Sequence, residues 1–275
     1  MLFFVVNHGV PEHAMRGMEA VGEEFFRLPA PDVAPFYSDD RRKPNRFFFG
    51  STFETGGDKY WVDCLRLTCT FLIHRAHKRH GNGSPAASLE VFGLRHNYFE
   101  GPLGSSETII GLNHYPSCSN LDPRLGLGLP PHCDRNLITL LLPGDVPGLQ
   151  ISYKGDWITV EPMPNAFVVN FGLQLELIHH FSTEQVVTNG VLKSIEHRVM
   201  TNPVMPRTSV GVFIQPDADC LVGPAEEFVS EGNPGRYRTL TFGEFMRIHN
   251  VIKLGSSLNL TTDLSISQQT LDKNI

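Results

Sequence analysis

Long apolar runs, closely spaced cysteines and an excess of positive charge are all missing from this 275-residue sequence. The N-terminal apolar run, residues 2–6, has no basic flank and falls short of a signal-peptide core or the ~20 residues of a membrane span. A soluble, cytoplasmic protein is expected. Five cysteines, Cys64, Cys69, Cys118, Cys133 and Cys220, are odd in number and widely spaced, which excludes a disulfide scaffold and fits a reducing compartment. Lys and Arg total 23 against 29 Asp and Glu, so the net charge of -6 offers no general attraction to nucleic acid or to an anionic membrane. What is present is an ordinary globular composition. Hydrophobic residues, at 41%, are too many for disorder and enough for one large core, while 25 Gly and 20 Pro predict many turns. The expected partner is a small molecule and the expected state a monomer.

Residues 2–7 read as a short buried strand, ended by His8-Gly9-Val10-Pro11, in which His8 has a structural place. Over residues 11–28, Met15, Met18, Val21, Phe25 and Phe26 recur at helical spacing and predict a helix with that stripe on the core. Residues 45–67 read as irregular chain and short strands. His74, His77 and His80 are mixed with Arg75, Lys78 and Arg79 beside Gly, Asn, Ser and Pro, and read as an exposed basic loop without a metal role. From Thr108 onward the texture changes to short β-rich runs at 109–115, 137–142, 149–153, 157–160, 166–170, 195–201 and 209–214. Such regular spacing indicates a sandwich or barrel. Lys154-Gly155-Asp156 predicts a hairpin between the third and fourth runs. The chain thus reads as mainly β, with an incomplete helical and strand flank (1–106), a β core (107–250) and a tail (251–275).

His132-Cys133-Asp134 lies where a β-run meets a loop. Residues two apart in extended chain project to one face, so an imidazole and a carboxylate converge while Cys133 points away. His197, in a later run, offers a third ligand. Two His and one carboxylate on one face of an octahedral ion leave three positions open, the ligand set of non-haem Fe(II) oxygenases. Either piece alone is weak, because H-x-D arises by chance and a single strand His is more often a packed core residue. Arg207-Thr208-Ser209 strengthens the pattern, since a planar guanidinium fork and a hydroxyl on one face suit a carboxylate. Ahead of the H-x-D, Asn113-His114-Tyr115 adds a phenol donor.

In these residues the sequence resembles the plant soluble 2-oxoglutarate and Fe(II) dependent dioxygenases. The matching stretches run in the family's order over most of residues 107–250: Asn113-His114-Tyr115, Leu129-Pro130-Pro131-His132-Cys133-Asp134, Gly148-Leu149-Gln150, residues 166–170, residues 189–199 and Arg207-Thr208-Ser209. Residues 57–67, with Trp61, and residues 242–249 look like the clade of hyoscyamine 6-dioxygenase and 2'-deoxymugineic-acid 2'-dioxygenase. The resemblance implies a double-stranded β-helix, or jelly roll, holding Fe(II) through His132, Asp134 and His197. It implies that 2-oxoglutarate chelates the iron while Arg207, Ser209 and Tyr115, with Asn113 beside them, hold its distal carboxylate. Dioxygen is then a cosubstrate and ascorbate the expected reductant. The implied activity is hydroxylation or other oxidation of a small specialised metabolite, with decarboxylation of 2-oxoglutarate to succinate. Phe213 and the Trp61 segment are candidates for an apolar pocket wall.

Three places depart from the family's pattern. The chain begins inside the first strand, without the helical segment that precedes it in the family. Residues 70–85 stand where the family has a loop and the start of a long helix. Residues 178–185 interrupt a stretch that the family runs almost continuously, and are expected to form a surface excursion in which His179 and His180 are not ligands. A barrel covered this poorly is expected to turn over weakly and to aggregate. The competing reading is therefore a truncated, non-catalytic β-barrel of the same family.

Overall fold

Alternation along a few strands organises the protein. In the computed structural model, residues 2–40, 42–50, 60–69, 108–118, 126–179, 182–186, 194–224, 226, 229–235 and 238–253 are described, with the backbone alone for 175–179, 182–186 and 249–253. The three histidines at 74–80, residues 86–94 and the tail beyond 253 lie outside them.

The elements begin with β1 (Leu2–Val5), α1 (Glu12–Phe26), the short α2 (Ala30–Val33), β2 (Arg46–Phe49) and β3 (Asp63–Cys69). The β-rich part follows with β4 (Thr108–Tyr115), β5 (Leu127–His132), β6 (Ile138–Leu142), β7 (Leu149–Tyr153), β8 (Asp156–Thr159) and β9 (Phe167–Phe171). After these come β10 (Leu175–His179), β11 (Ser182–Val186), β12 (His197–Met200), β13 (Arg207–Ile214), β14 (Leu221–Val222), β15 (Leu240–Thr241) and α3 (Phe242–Lys253). A seven-stranded sheet has the order β1-β9-β6-β13-β4-β3-β2, and a four-stranded sheet the order β5-β12-β7-β8. The two face each other as the two halves of the expected jelly roll. Because β3 pairs with β4, the flank shares the core's sheet across the expected 106/107 division, and α3 runs past the expected end of the core at 250.

Successive strand residues point to opposite faces. On β4, Ile110 and Leu112 join Met15, Leu142 and Val210 in a cluster beneath α1, whereas Ile109, Gly111, Asn113 and Tyr115 line the space between the sheets. β13 repeats the pattern: Val210 turns to the helix, and Arg207, Ser209, Gly211 and Phe213 turn inward. A second cluster of Val62, Tyr115, Leu149, Val168 and Val199 joins the sheets.

The helix forms where expected, but its buried face differs. Met15 and Gly22 are buried, while Met18 and Val21 are 40% and 60% exposed. The reason is Gly22: a Cβ there would meet Leu112 Cδ2 at 3.0 Å, so the helix rests on β4 along its glycine and turns Met18 and Val21 outward. The hairpin at Lys154-Gly155 is as expected, with φ of 53° and 92° and Tyr153 paired to Asp156, the two positive angles that a two-residue turn demands. His8 is structural: its Nε2 donates to the Asn165 carbonyl at 3.1 Å and its Nδ1 accepts from the Val10 N–H.

Gly172 adjoins the site. A Cβ at this position would run into the Asn136 carbonyl, and the next residue, Leu173, donates its N–H to the Asp134 carbonyl at 2.6 Å. Gly172→Ala is therefore expected to cost about 1–3 kcal/mol of folding stability as an overpacked position, read by denaturant unfolding. The backbone of β10 and β11 forms a two-stranded antiparallel sheet separate from the two large ones. Deletion of residues 178–185, which overlap β10 and β11, is expected to leave Fe(II) binding unchanged in a metal titration.

Candidate active site

β5 and β12 are antiparallel neighbours in which His132 and His197 are directly paired. Their imidazoles stand side by side, with ring centroids 4.3 Å apart. Each Nδ1–H donates to a backbone carbonyl two residues earlier, His132 to Pro130 at 2.7 Å and His197 to Ile195 at 3.1 Å. That fixes the tautomer and leaves both Nε2 lone pairs facing Asp134. The separations from Asp134 Oδ1 are 3.6 Å to His132 and 3.7 Å to His197, too long for hydrogen bonds. The three ligand atoms lie within 4.8 Å of one another and could hold a metal ion.

Asp134 is itself held. Its Oδ2 accepts from the Thr139 hydroxyl at 2.6 Å and from Asn170 Nδ2 at 2.9 Å, leaving Oδ1 for the imidazoles. Asn136 in turn donates to Thr139 Oγ1 at 3.0 Å. Burial works against the charged carboxylate, but His197, His132 and the Thr139 hydroxyl overcome it and hold the group well below its usual range. Burial and the neighbouring His132 lower the His197 imidazole to about 4, so it is neutral near pH 7 with a free lone pair. A donor set of two imidazoles and one carboxylate fits Fe(II). Thr139→Val or Asn170→Ala is expected to weaken metal binding roughly 10–100-fold, the usual cost of losing an outer partner, measured by Fe(II) titration. Neither residue is singled out by sequence spacing. The available signal was strand parity, which turns both toward His132.

The triad opens on a cavity of about 260 Å³ between the sheets. Arg207 and Tyr115 are paired across β13 and β4, and Ser209 likewise with Asn113. Arg207 is buried, donates Nε–H to the Val146 carbonyl at 3.1 Å and Nη1–H to Ser209 Oγ at 3.4 Å, and lies 5.2 Å from the Tyr115 ring centroid. Burial lowers its pKa and Tyr115 partly offsets that effect. Burial pushes the Tyr115 phenol up to about 12, against the pull of Arg207, so it remains a donor. No carboxylate pairs with Arg207 among the described residues, which leaves its fork for an anion in the cavity. All seven residues singled out in the sequence, the triad with Asn113, Tyr115, Arg207 and Ser209, thus line one space. Phe213 lines it too. Of the Trp61 segment, Val62, Cys64 and Arg66 line it, whereas Trp61 itself is 49% exposed and does not. Burial raises the Cys64 thiol to about 12 and leaves it protonated.

Residues 106–216 match the model of the 2OG-Fe(II) oxygenase superfamily. The chain is 54% identical to 2'-deoxymugineic-acid 2'-dioxygenase of Hordeum vulgare, over 97% of this chain and 82% of that protein. The chain belongs to this superfamily. Mugineic-acid 3-dioxygenase of Hordeum vulgare is 47% identical over 96% of this chain and 81% of its own, and hyoscyamine 6-dioxygenase of Hyoscyamus niger 33% identical over 90% and 78%. Among solved structures, JOX2 in complex with 2OG, Fe and JA superposes with a TM-score of 0.71 at 30% identity, covering 90% of this chain and 77% of that one. The oxygenase is thus a 2-oxoglutarate-dependent dioxygenase with a jelly-roll fold, requiring Fe(II) and 2-oxoglutarate to oxidise a small metabolite. Among its described residues no helix is long and apolar enough to cross a membrane.

Proposed function

We propose that the oxygenase oxidises a small organic acid of the mugineic-acid kind, using His132, Asp134 and His197 as iron ligands and Arg207, Ser209 and Tyr115 as the seat of the distal carboxylate of 2-oxoglutarate. The observation that carries this reading is the convergence of a fixed His-Asp-His set and a buried, carboxylate-free arginine in one cavity. Bound iron and 2-oxoglutarate supply dioxygen activation, with loss of carbon dioxide leaving succinate. The chain's own residues do the positioning. Pro130 and Ile195 carbonyls aim the imidazoles, Thr139 and Asn170 aim Asp134, and Val146 aims the Arg207 fork. Leu141, Val168 and Phe213 supply apolar walls that exclude water. Asn113 adds an amide to the wall beside Ser209.

The acid is favoured because two relatives of high identity are named for such acids, and because three guanidiniums and one carboxylate line the cavity. Ascorbate serves as reductant, and five free thiols fit the cytoplasm. The test is a screen of the purified chain with Fe(II) and 2-oxoglutarate, following succinate by mass spectrometry. 2'-Deoxymugineic acid or mugineic acid is expected to stimulate succinate release, while hyoscyamine and a flavanone leave it at the unstimulated rate. Stimulation by hyoscyamine or the flavanone and by neither acid would contradict the proposal.

A further inference from the structure

Arg66, Arg135 and Arg207 line the cavity, against Asp134 as the one carboxylate among its described lining residues. This excess lies inside a chain of net charge -6, so the cavity runs against the sign of the molecule. Asp134 belongs to the iron site and Arg207 to the cosubstrate. Arg66 has no such assignment.

Strand parity puts Arg66 inside: Cys64 and Arg66 line the cavity, while Leu65 and Leu67 pack into the cluster under α1. Across the sheet its neighbour is Gly111 on β4, followed by Gly211 on β13. Neither glycine contributes a side chain there. Phe213 covers the two glycines, its ring atoms 3.1 and 3.0 Å from where Cβ atoms at Gly111 and Gly211 would lie. On the other side Arg66 is paired with Arg46, a second guanidinium, which is stacked 3.9 Å over Phe48. The Arg66 Nε is buried and has no hydrogen-bond partner. Buried donors are nearly always paired, and a guanidinium beside another cation with no partner for its Nε suits an anion. The Gly111–Gly211 row lies four residues along β13 from Arg207, a backbone separation of about 13 Å at ~3.3 Å per residue, so Arg66 addresses a different part of the cavity from the Arg207 seat.

We propose that Arg66 is a specificity-determining residue that clamps a carboxylate of the primary substrate, with the substrate's carbon chain against Phe213. This deepens the preceding reading and rests on it. The test is calorimetric titration of 2'-deoxymugineic acid, and of its fully esterified form, into the full chain loaded with Mn(II) and 2-oxoglutarate. Arg66→Gln is expected to raise the Kd of the acid at least tenfold with 2-oxoglutarate affinity unchanged. Arg66→Lys should lose less, and the ester should bind wild type and Arg66→Gln alike. Acid affinity within twofold of wild type in Arg66→Gln overturns the assignment. Should Arg66→Gln also lose 2-oxoglutarate binding, the wild type decides: equal affinity for acid and ester overturns the assignment, and tenfold preference for the acid supports it. Because these readouts are binding, they stand apart from turnover. An acid that stimulates succinate release yet binds Arg66→Gln as tightly as wild type would refute this proposal and leave the oxygenation reading standing.

Discussion

His197→Ala, and equally His132→Ala, is expected to abolish Fe(II)-dependent succinate release. Each imidazole offers one of three possible ligand atoms gathered within 4.8 Å, and no other His, Cys, Asp or Glu joins the group among the described residues. The loss should exceed the roughly 10–100-fold that follows removal of an outer partner such as Asn170. The measurement is a metal titration together with turnover, and both should fail in the same variant. The fold should survive, because His197 sits in a strand already held by β5 on one side and β7 on the other. Circular dichroism unchanged from wild type would establish that the loss is chemical.

Arg207→Gln is expected to raise the KM for 2-oxoglutarate roughly 30-fold or more while leaving Fe(II) binding intact. Truncating one partner of a buried charge pair costs about 2–5 kcal/mol, and about 1.4 kcal/mol is a factor of ten. The low end of that range gives the stated figure. Arg207→Lys should fall between the two, since the ammonium keeps the charge but cannot reproduce the fork that Val146 and Ser209 orient. The check is the dependence of succinate formation on 2-oxoglutarate concentration. An unchanged KM in Arg207→Gln would remove Arg207 from the cosubstrate seat.

Much of the site was legible because its residues lie on strands, where spacing of two fixes the face. His132 and Asp134 straddle Cys133, and Arg207 and Ser209 straddle Thr208, so their convergence follows from the sequence alone. The strand carrying His132 was harder to read. Pro130 and Pro131 look like breakers, yet among the described residues β5 is an edge strand with β12 as its one neighbour, and an edge tolerates the missing N–H groups. Thr139 and Asn170 escaped because the bond from Asn170 to Asp134 spans 36 residues and depends on β6 and β9 pairing. The Trp61 segment reaches the cavity, but not through Trp61 itself. The cavity is reached by the smaller Val62 and Cys64 and by Arg66, since parity selects the face regardless of bulk. Helical spacing placed α1 but not its rotation, which Gly22 sets by allowing close approach to Leu112.

The most direct test of the account is oxygen-isotope labelling of turnover with 2'-deoxymugineic acid under labelled dioxygen. When 2-oxoglutarate loses carbon dioxide by oxidation, the new carboxylate oxygen of succinate must come from dioxygen. Each succinate released by the wild type is expected to carry one labelled oxygen, and His197→Ala is expected to release none. Unlabelled succinate from the wild type, or labelled succinate released at the wild-type rate by His197→Ala, would contradict it.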